Sequence, residues 1–323
     1  MQFTIYSILL ITAVVALLLT FELYGFATVM LVFLLGLIAN CVFVRVFFVA
    51  RYRFANSLAP ILYPRTIWIL RWTCGRKCTA LALHNFGVNA FNKGEIDKAS
   101  RVFAKVIELD SDQSAYWSWR GVANFNLGNL EQAIHDFSEA ISIDSKTDAT
   151  IAYRGYARYA LQDYVGAIED FEKVHCTGKE HSNLVLCRAY SYEEIGHWHK
   201  AISDFKVAYD LDPSNLFAGI GLARLQACCP DPAVRDGKKA IENATNMCIR
   251  SDWKDWAAIS VLGAAFAENE DFGEAVKYAQ IAIELAPESE KPARALRLSQ
   301  FQKGIPFRLT VPEASVLTAV LES

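Results

Sequence analysis

Two kinds of hydrophobic pattern share this chain. From Phe3 to Thr20 the residues form an 18-residue run without a charge, and a second run of 19 extends from Phe26 to Val44, with Asn40 as its main polar residue. From about residue 80 the pattern changes to short amphipathic stretches separated by turn residues, and it repeats. Gly87, Gly121 and Gly155 stand 34 residues apart, and Ala189 continues the series. Alanine follows twelve residues after each (Ala99, Ala133, Ala167, Ala201) and phenylalanine sixteen after (Phe103, Phe137, Phe171, Phe205). Nineteen after come Val106, Ala140, Val174 and Ala208. Four positions in register over four copies predict one helical supersecondary unit used four times. Gly94, Gly128 and Gly196, with Gln162 in the third copy, predict the turns between two helices of each unit, because glycine adopts the positive φ that ends a helix at little steric cost.

The residue types carry a packing logic. The small residue of the first helix and the alanine of the second lie where the two helices press closest, and the phenylalanine fills the space between neighbouring units. Asp212–Pro213 closes the fourth copy, since proline bars the helix from continuing. A further copy carries Gly263, Ala275, Ala279, Ala282 and Pro287, set 74 residues after Ala189, six more than two periods. The extra residues fall in a degenerate hairpin: a helix over Asn215–Cys228, a turn over Cys229–Pro232 and a helix over Ala233–Ile249. Pro292–Lys303 is expected to cap the array.

This pattern resembles the tetratricopeptide repeat. The stretches ACCPDPAVRDGKKAIENA, WKDWAAISVLGAAFAENEDFGEAVKYAQIAIELAP and RLSQFQKGIPFR are similar to a C-terminal module of large bacterial tetratricopeptide proteins. The resemblance covers about residues 80–308. It implies an all-α solenoid of helical hairpins, with four regular repeats, a degenerate hairpin and a fifth repeat, here preceded by an N-terminal transmembrane helical hairpin. The expected division is two transmembrane helices over 1–50, a basic segment over 51–79, four repeats over 80–213, the degenerate hairpin, fifth repeat and capping helix over 214–303, and a tail over 304–323.

The membrane expectation rests on length. About 20 helical residues cross a bilayer core, so the apolar stretch is too long for one span and fits two, joined at Phe21–Gly25. A single long tilted helix is the competing reading. A cleaved signal peptide lacks its basic start and small-residue cleavage site. Between Glu22 and Glu95 there is no acidic residue but eight basic ones, and positive flanks stay on the cytoplasmic side. An integral protein of a bacterial inner membrane with cytoplasmic repeats is therefore expected, with lipid contact over residues 1–77. Ile61–Trp72 reads equally as an interfacial helix or as a linker packed on the first repeat. From Glu95 onward 34 acidic residues face 24 basic ones, a net of −10, which argues against a nucleic-acid partner.

Little in the chain suggests catalysis. Eight scattered cysteines have neither a disulfide framework nor zinc spacing, and at helix positions a free thiol acts as a small hydrophobe. The six histidines are dispersed, and neither a phosphate-cradling glycine loop nor a nucleophile elbow occurs. No enzyme activity, cofactor or metal is expected.

What remains is a surface. The resemblance implies a concave groove lined by the first helix of each repeat, which selects Val88 and Phe91, then Ser118, Val122, Phe125 and Asn126, then Tyr156 and Tyr159, then Tyr190 and Glu193. The places where some tetratricopeptide domains grip a terminal carboxylate hold His84, Val88, Trp119, Ala149 and Tyr153, so that clamp is absent. The rings either receive a protein or peptide partner, since aromatic anchors dominate interface energetics, or merely pack between helices. With Glu193–Glu194 beside them, a groove ligand would be apolar or aromatic with some basic character. The functional expectation is a membrane-anchored scaffold or adaptor for protein–protein interaction. A structural or assembly subunit of a larger membrane complex is the alternative.

Overall fold

The computed structural model describes residues 75–310 together with Asn56. Its described residues hold thirteen α-helices, one 3-10 turn and no strand. They fall into two compact units that divide between Trp119 and Arg120, inside a helix.

The first unit is a helical hairpin, α1 (Arg76–Asn92) and α2 (Ile96–Leu109), followed by the opening turns of α3 (Ser114–Asn126). The chain turns at Gly94, φ 80°, where the Gly94 and Glu95 amides return to the carbonyls of Phe91 and Ala90. α1 and α2 approach so closely at Gly87 that a Cβ there would lie 2.7 Å from the Phe103 ring. Val102, Phe103 and Val106 of α2 are fully buried. The hairpin begins earlier than expected. Arg76, Lys77 and Cys78 belong to α1, Cys78 is buried, and Arg76 donates to the Leu109 carbonyl at 3.1 Å. The last residues of the presumed basic linker are thus part of the first repeat.

The second unit continues with α4 (Leu130–Ile143), α5 (Asp148–Ala160), α6 (Tyr164–Phe171), α7 (Ser182–Glu194), α8 (Trp198–Leu211), α9 (Leu216–Cys228), α10 (Gly237–Arg250), α11 (Trp256–Glu268), α12 (Phe272–Leu285) and α13 (Lys291–Gln302). The close approach recurs. A Cβ on Gly121 or Gly155 would lie 2.6 Å from Phe137 or Phe171 respectively. Phe137, Phe171 and Phe205 are all inaccessible to solvent. In the third hairpin Gln162 takes the turn position with φ 63°.

Three local departures have physical causes. α6 stops at Phe171 after 8 residues, where the backbone tightens to three-residue bonds, the Lys173 and Val174 amides donating to the Asp170 and Phe171 carbonyls; Val174 is still buried. α10 starts at Gly237 rather than Ala233, where the Asp236 side chain accepts the Lys239 amide as an N-cap. After α13 the chain runs back in extended form, and the Leu309 amide donates to the Cys228 carbonyl at 2.9 Å.

The bilayer assignment requires correction. Among the described residues no helix is long and apolar enough to cross a membrane; the longest, α1, has 17 residues. The assignment to an integral inner-membrane protein with cytoplasmic repeats is withdrawn. The expected two-span hairpin over 1–50 lies outside the described residues, as does the lipid contact expected over 1–77 apart from Asn56 and residues 75–77.

Candidate functional site

The candidate residues lie on the first helices of the hairpins, some in each unit. In the first unit Val88 and Phe91 stand half-buried on α1, and Ser118 half-buried on α3. The Phe91 ring meets Trp119 edge-on at 5.5 Å, and Trp119 lies stacked over Phe103 at 6.0 Å. His84 fills the space behind them, 5.1 Å from Tyr116 and 5.9 Å from Phe103. Burial lowers its pKa and its Nε2 has no hydrogen-bond partner, so it is a neutral core histidine.

In the second unit Val122 and Phe125 are half-buried on α3, while Asn126 is exposed and donates to the Val122 carbonyl of its own helix at 2.8 Å. From Phe125 a run of edge-to-face rings continues through Tyr153 at 6.3 Å to Tyr156 at 6.4 Å. Cys187 on α7 is the common neighbour of Tyr156, Tyr159 and Tyr190. Burial pushes the Tyr159 hydroxyl up to about 12 and the Cys187 thiol up to about 11, so both are uncharged at neutral pH. Tyr153, Cys187 and Arg224 belong to this face, and the sequence reading had not selected them.

Part of the aromatic character is packing. Each repeat phenylalanine is covered from one of two sides. Phe137 is stacked by Tyr153 at 6.0 Å, while Val122 holds the repeat place that Tyr156 and Tyr190 hold in the next two copies. Phe171 is instead met by Tyr156 at 5.3 Å, with the small Cys187 where Tyr153 stood. Phe205 is met by Tyr190 at 4.9 Å, with Gly221 in the second place, where a Cβ would come within 2.4 Å of the ring. A large ring on one side goes with a small residue on the other. Tyr156 and Tyr190 therefore serve the core on one face of their rings. Phe125 makes no ring contact with a repeat phenylalanine, whereas Tyr159 packs against the cluster that holds Ala167 and Phe171 and meets the Tyr164 ring at 5.9 Å.

Glu193 departs from its expected role. It is buried, and its carboxylate is held by Arg224 through contacts of 2.5 and 2.6 Å. Burial raises its pKa, against the pull of Arg224. Arg224 in turn lies over the Tyr190 ring at 5.9 Å. Of the two acids only Glu194 is exposed.

A second periodic feature stiffens these helices. Arg120, Arg154 and Arg188 each grip, in bidentate fashion, the aspartate sixteen residues on: Asp136, Asp170 and Asp204, at 2.5 to 3.0 Å. The three carboxylates are buried, and such pairs fix the angle between helices. In the first hairpin Phe86 and Val102 hold the equivalent places.

Comparison with known proteins bears on the fold. Residues 84–148 match the tetratricopeptide repeat family. None of the curated proteins matches. Among solved structures, YrrB, described as a TPR protein with an unusual peptide-binding site, superposes with a TM-score of 0.51 at 16% identity, covering 60% of this chain and 97% of its own. PilW, a type IV pilus biogenesis factor, gives 0.53 at 14% identity over 67% and 98%. PilF of Pseudomonas aeruginosa gives 0.52 at 14% over 71% and 99%. Identities this low speak to fold alone. The chain thus carries tetratricopeptide repeats over residues 84–148, and the same small-residue and phenylalanine packing continues in the hairpins that follow.

Proposed function

We propose that the chain is a protein-interaction scaffold whose second unit receives a partner segment on the face formed by Phe125, Tyr153, Tyr156, Tyr159 and Tyr190. The observation that carries the reading is the ring run itself. Phe125 is a half-buried ring on a first helix without ring contact to a repeat phenylalanine, and half-buried Tyr159 ends the run beside Tyr164. Aromatic side chains bring large contact area at low entropy cost. The solved tetratricopeptide fold of YrrB, described as having a peptide-binding site, agrees with such use without fixing where this chain binds. Because Glu193 is neutralised by Arg224, the partner segment needs apolar or aromatic anchors more than basic charge.

The test is selection of displayed peptides on the full chain, followed by affinity measurement with a Tyr159→Ala variant whose helicity and melting match the parent. Loss of a true anchor costs about 2 kcal/mol or more, roughly thirtyfold in affinity. Selected peptides that bind the folded variant as tightly as the parent would remove the partner from this face.

A further inference from the structure

The far end of the second unit holds an arginine that the fold leaves uncompensated. Five guanidinium groups surround the ends of α9, α11 and α13, and four have carboxylate partners. Arg224 is held by Glu193 at 2.5 Å. Arg235 and Arg308 share Glu268, at 2.9 and 2.6 Å. Arg294 reaches Glu290 at 3.0 Å. Arg297 differs: among the described residues its guanidinium has no carboxylate in salt-bridge range. Its hydrogen bond is a 3.5 Å contact from Nη1 to the Ser260 hydroxyl, and its plane rests on the Phe307 ring at 3.9 Å. Burial, with Arg294 and Arg224 nearby, lowers its pKa to about 10 against the weaker pull of Cys228 and Glu290, which still leaves it charged at neutral pH. Arg294 adds a second vacancy, a buried Nε without an acceptor.

These groups converge. Arg294 and Arg297 are one helical turn apart on α13, and each reaches α11, where Arg294 lies over Trp256 at 4.7 Å and Arg297 contacts Ser260. A half-buried cation without a counter-charge is costly to keep, and in exchange it presents free N–H groups in the fixed fork that suits a carboxylate. We propose that Arg297, with Arg294 and Ser260 beside it, is a receptor for the side-chain carboxylate of an acidic segment on a partner protein. The wall on one side is apolar and aromatic (Trp256, Phe307), so the acid sits beside apolar neighbours. A single carboxylate matches the one unpaired charge of Arg297, whereas a dianion would have to draw a guanidinium away from Glu268 or Glu290. Arg224 borders both regions, but Arg297, Arg294 and Ser260 make no contact with Phe125, Tyr153, Tyr156 or Tyr159 among those the structure gives.

The experiment uses the full chain and acetylated, amidated hexapeptides of valine and leucine that differ only in a central glutamate, glutamine or phosphoserine. Isothermal titration should show the glutamate peptide binding at least tenfold more tightly than the glutamine one. Arg297→Met should erase that preference, while Tyr159→Ala leaves it intact. Without peptide, Arg297→Met should melt no lower than the parent, because it removes an uncompensated charge. Equal binding of the glutamate and glutamine peptides, or no binding of either, overturns the proposal. So does a preference that survives in Arg297→Met, or a variant that melts several degrees lower, which would make Arg297 structural. Tighter binding of the phosphoserine peptide would overturn the carboxylate as ligand, and concentration-dependent dimerisation lost in Arg297→Met would give the site to a second copy of the chain.

Discussion

At the scale of single residues, the repeat is specified by what will not fit. Gly87, Gly121 and Gly155 sit where the phenylalanine ring leaves no room for a Cβ, and this exclusion is why their 34-residue spacing is legible in the sequence. Gln162 breaks the pattern without breaking the turn. It adopts φ 63° where Gly94, Gly128 and Gly196 adopt 76° to 80°. A left-handed conformation costs a non-glycine residue about 1–2 kcal/mol, and glycine returns part of that gain through its greater unfolded-state freedom. Gln162→Gly should therefore raise stability by about 0.5 kcal/mol, read as a higher urea midpoint at an unchanged slope. A lower midpoint would mean that the glutamine side chain contributes more than its backbone strain costs.

At the scale of elements, two compensations hold the hairpins together. The first is the exchange of cover over the repeat phenylalanine. Tyr156→Val should destabilise by about 2–3 kcal/mol by opening a gap over Phe171, and Cys187→Tyr alone should overpack by about 1–3 kcal/mol. Together they rebuild the Val122–Phe137–Tyr153 arrangement, so the double variant should lie within about 1 kcal/mol of the parent. Simple additivity of the two losses would refute the exchange, since contacting residues are expected to couple. The second is the buried ion pair. Asp204 depends on Arg188, whereas Asp170 is held by Arg154 and also by Arg158 at 2.9 Å. Arg188→Met should thus cost about 3–5 kcal/mol by stranding a buried carboxylate, and Arg154→Met distinctly less. Equal losses in thermal or urea unfolding would show that Arg158 does not share the load.

Legibility at this scale was uneven. Hairpin number, turn positions and the capping helix follow from periodicity. The Arg–Asp pairs carry the same 34-residue signature, yet charge identity alone reads as solvated surface; only their register, one residue before the small residue and before the phenylalanine, places them inside. The short α6 and the later start of α10 depend on local competition between helix propensity and capping, to which an apolar period is blind. The return of Leu309 to α9 has no periodic signal at all.

At the scale of the whole molecule, repeat packing and the proposed partner face draw on the same side chains. Tyr156 and Tyr190 support the core with one face, Tyr159 packs against the Phe171 cluster, Glu193 is consumed by Arg224, and Phe125 remains as the ring with least structural duty. Register places the candidate residues on the first helices, but it does not give their division of labour, which depends on which neighbour fills the space over each phenylalanine. The expected acidic margin shrinks to Glu194 for the same reason. Cys187 offers the most direct test, because it lies among Tyr156, Tyr159 and Tyr190 with its thiol pushed up to about 11. In the free protein its alkylation by iodoacetamide should be slow at pH 8 and rise about tenfold per pH unit, following the thiolate. A saturating peptide selected on the full chain should slow modification of Cys187 at least tenfold, read by mass spectrometry. Buried Cys248 on α10, which reports global opening, should change far less. An unchanged Cys187 rate with the peptide bound would contradict the account and put the partner on another surface.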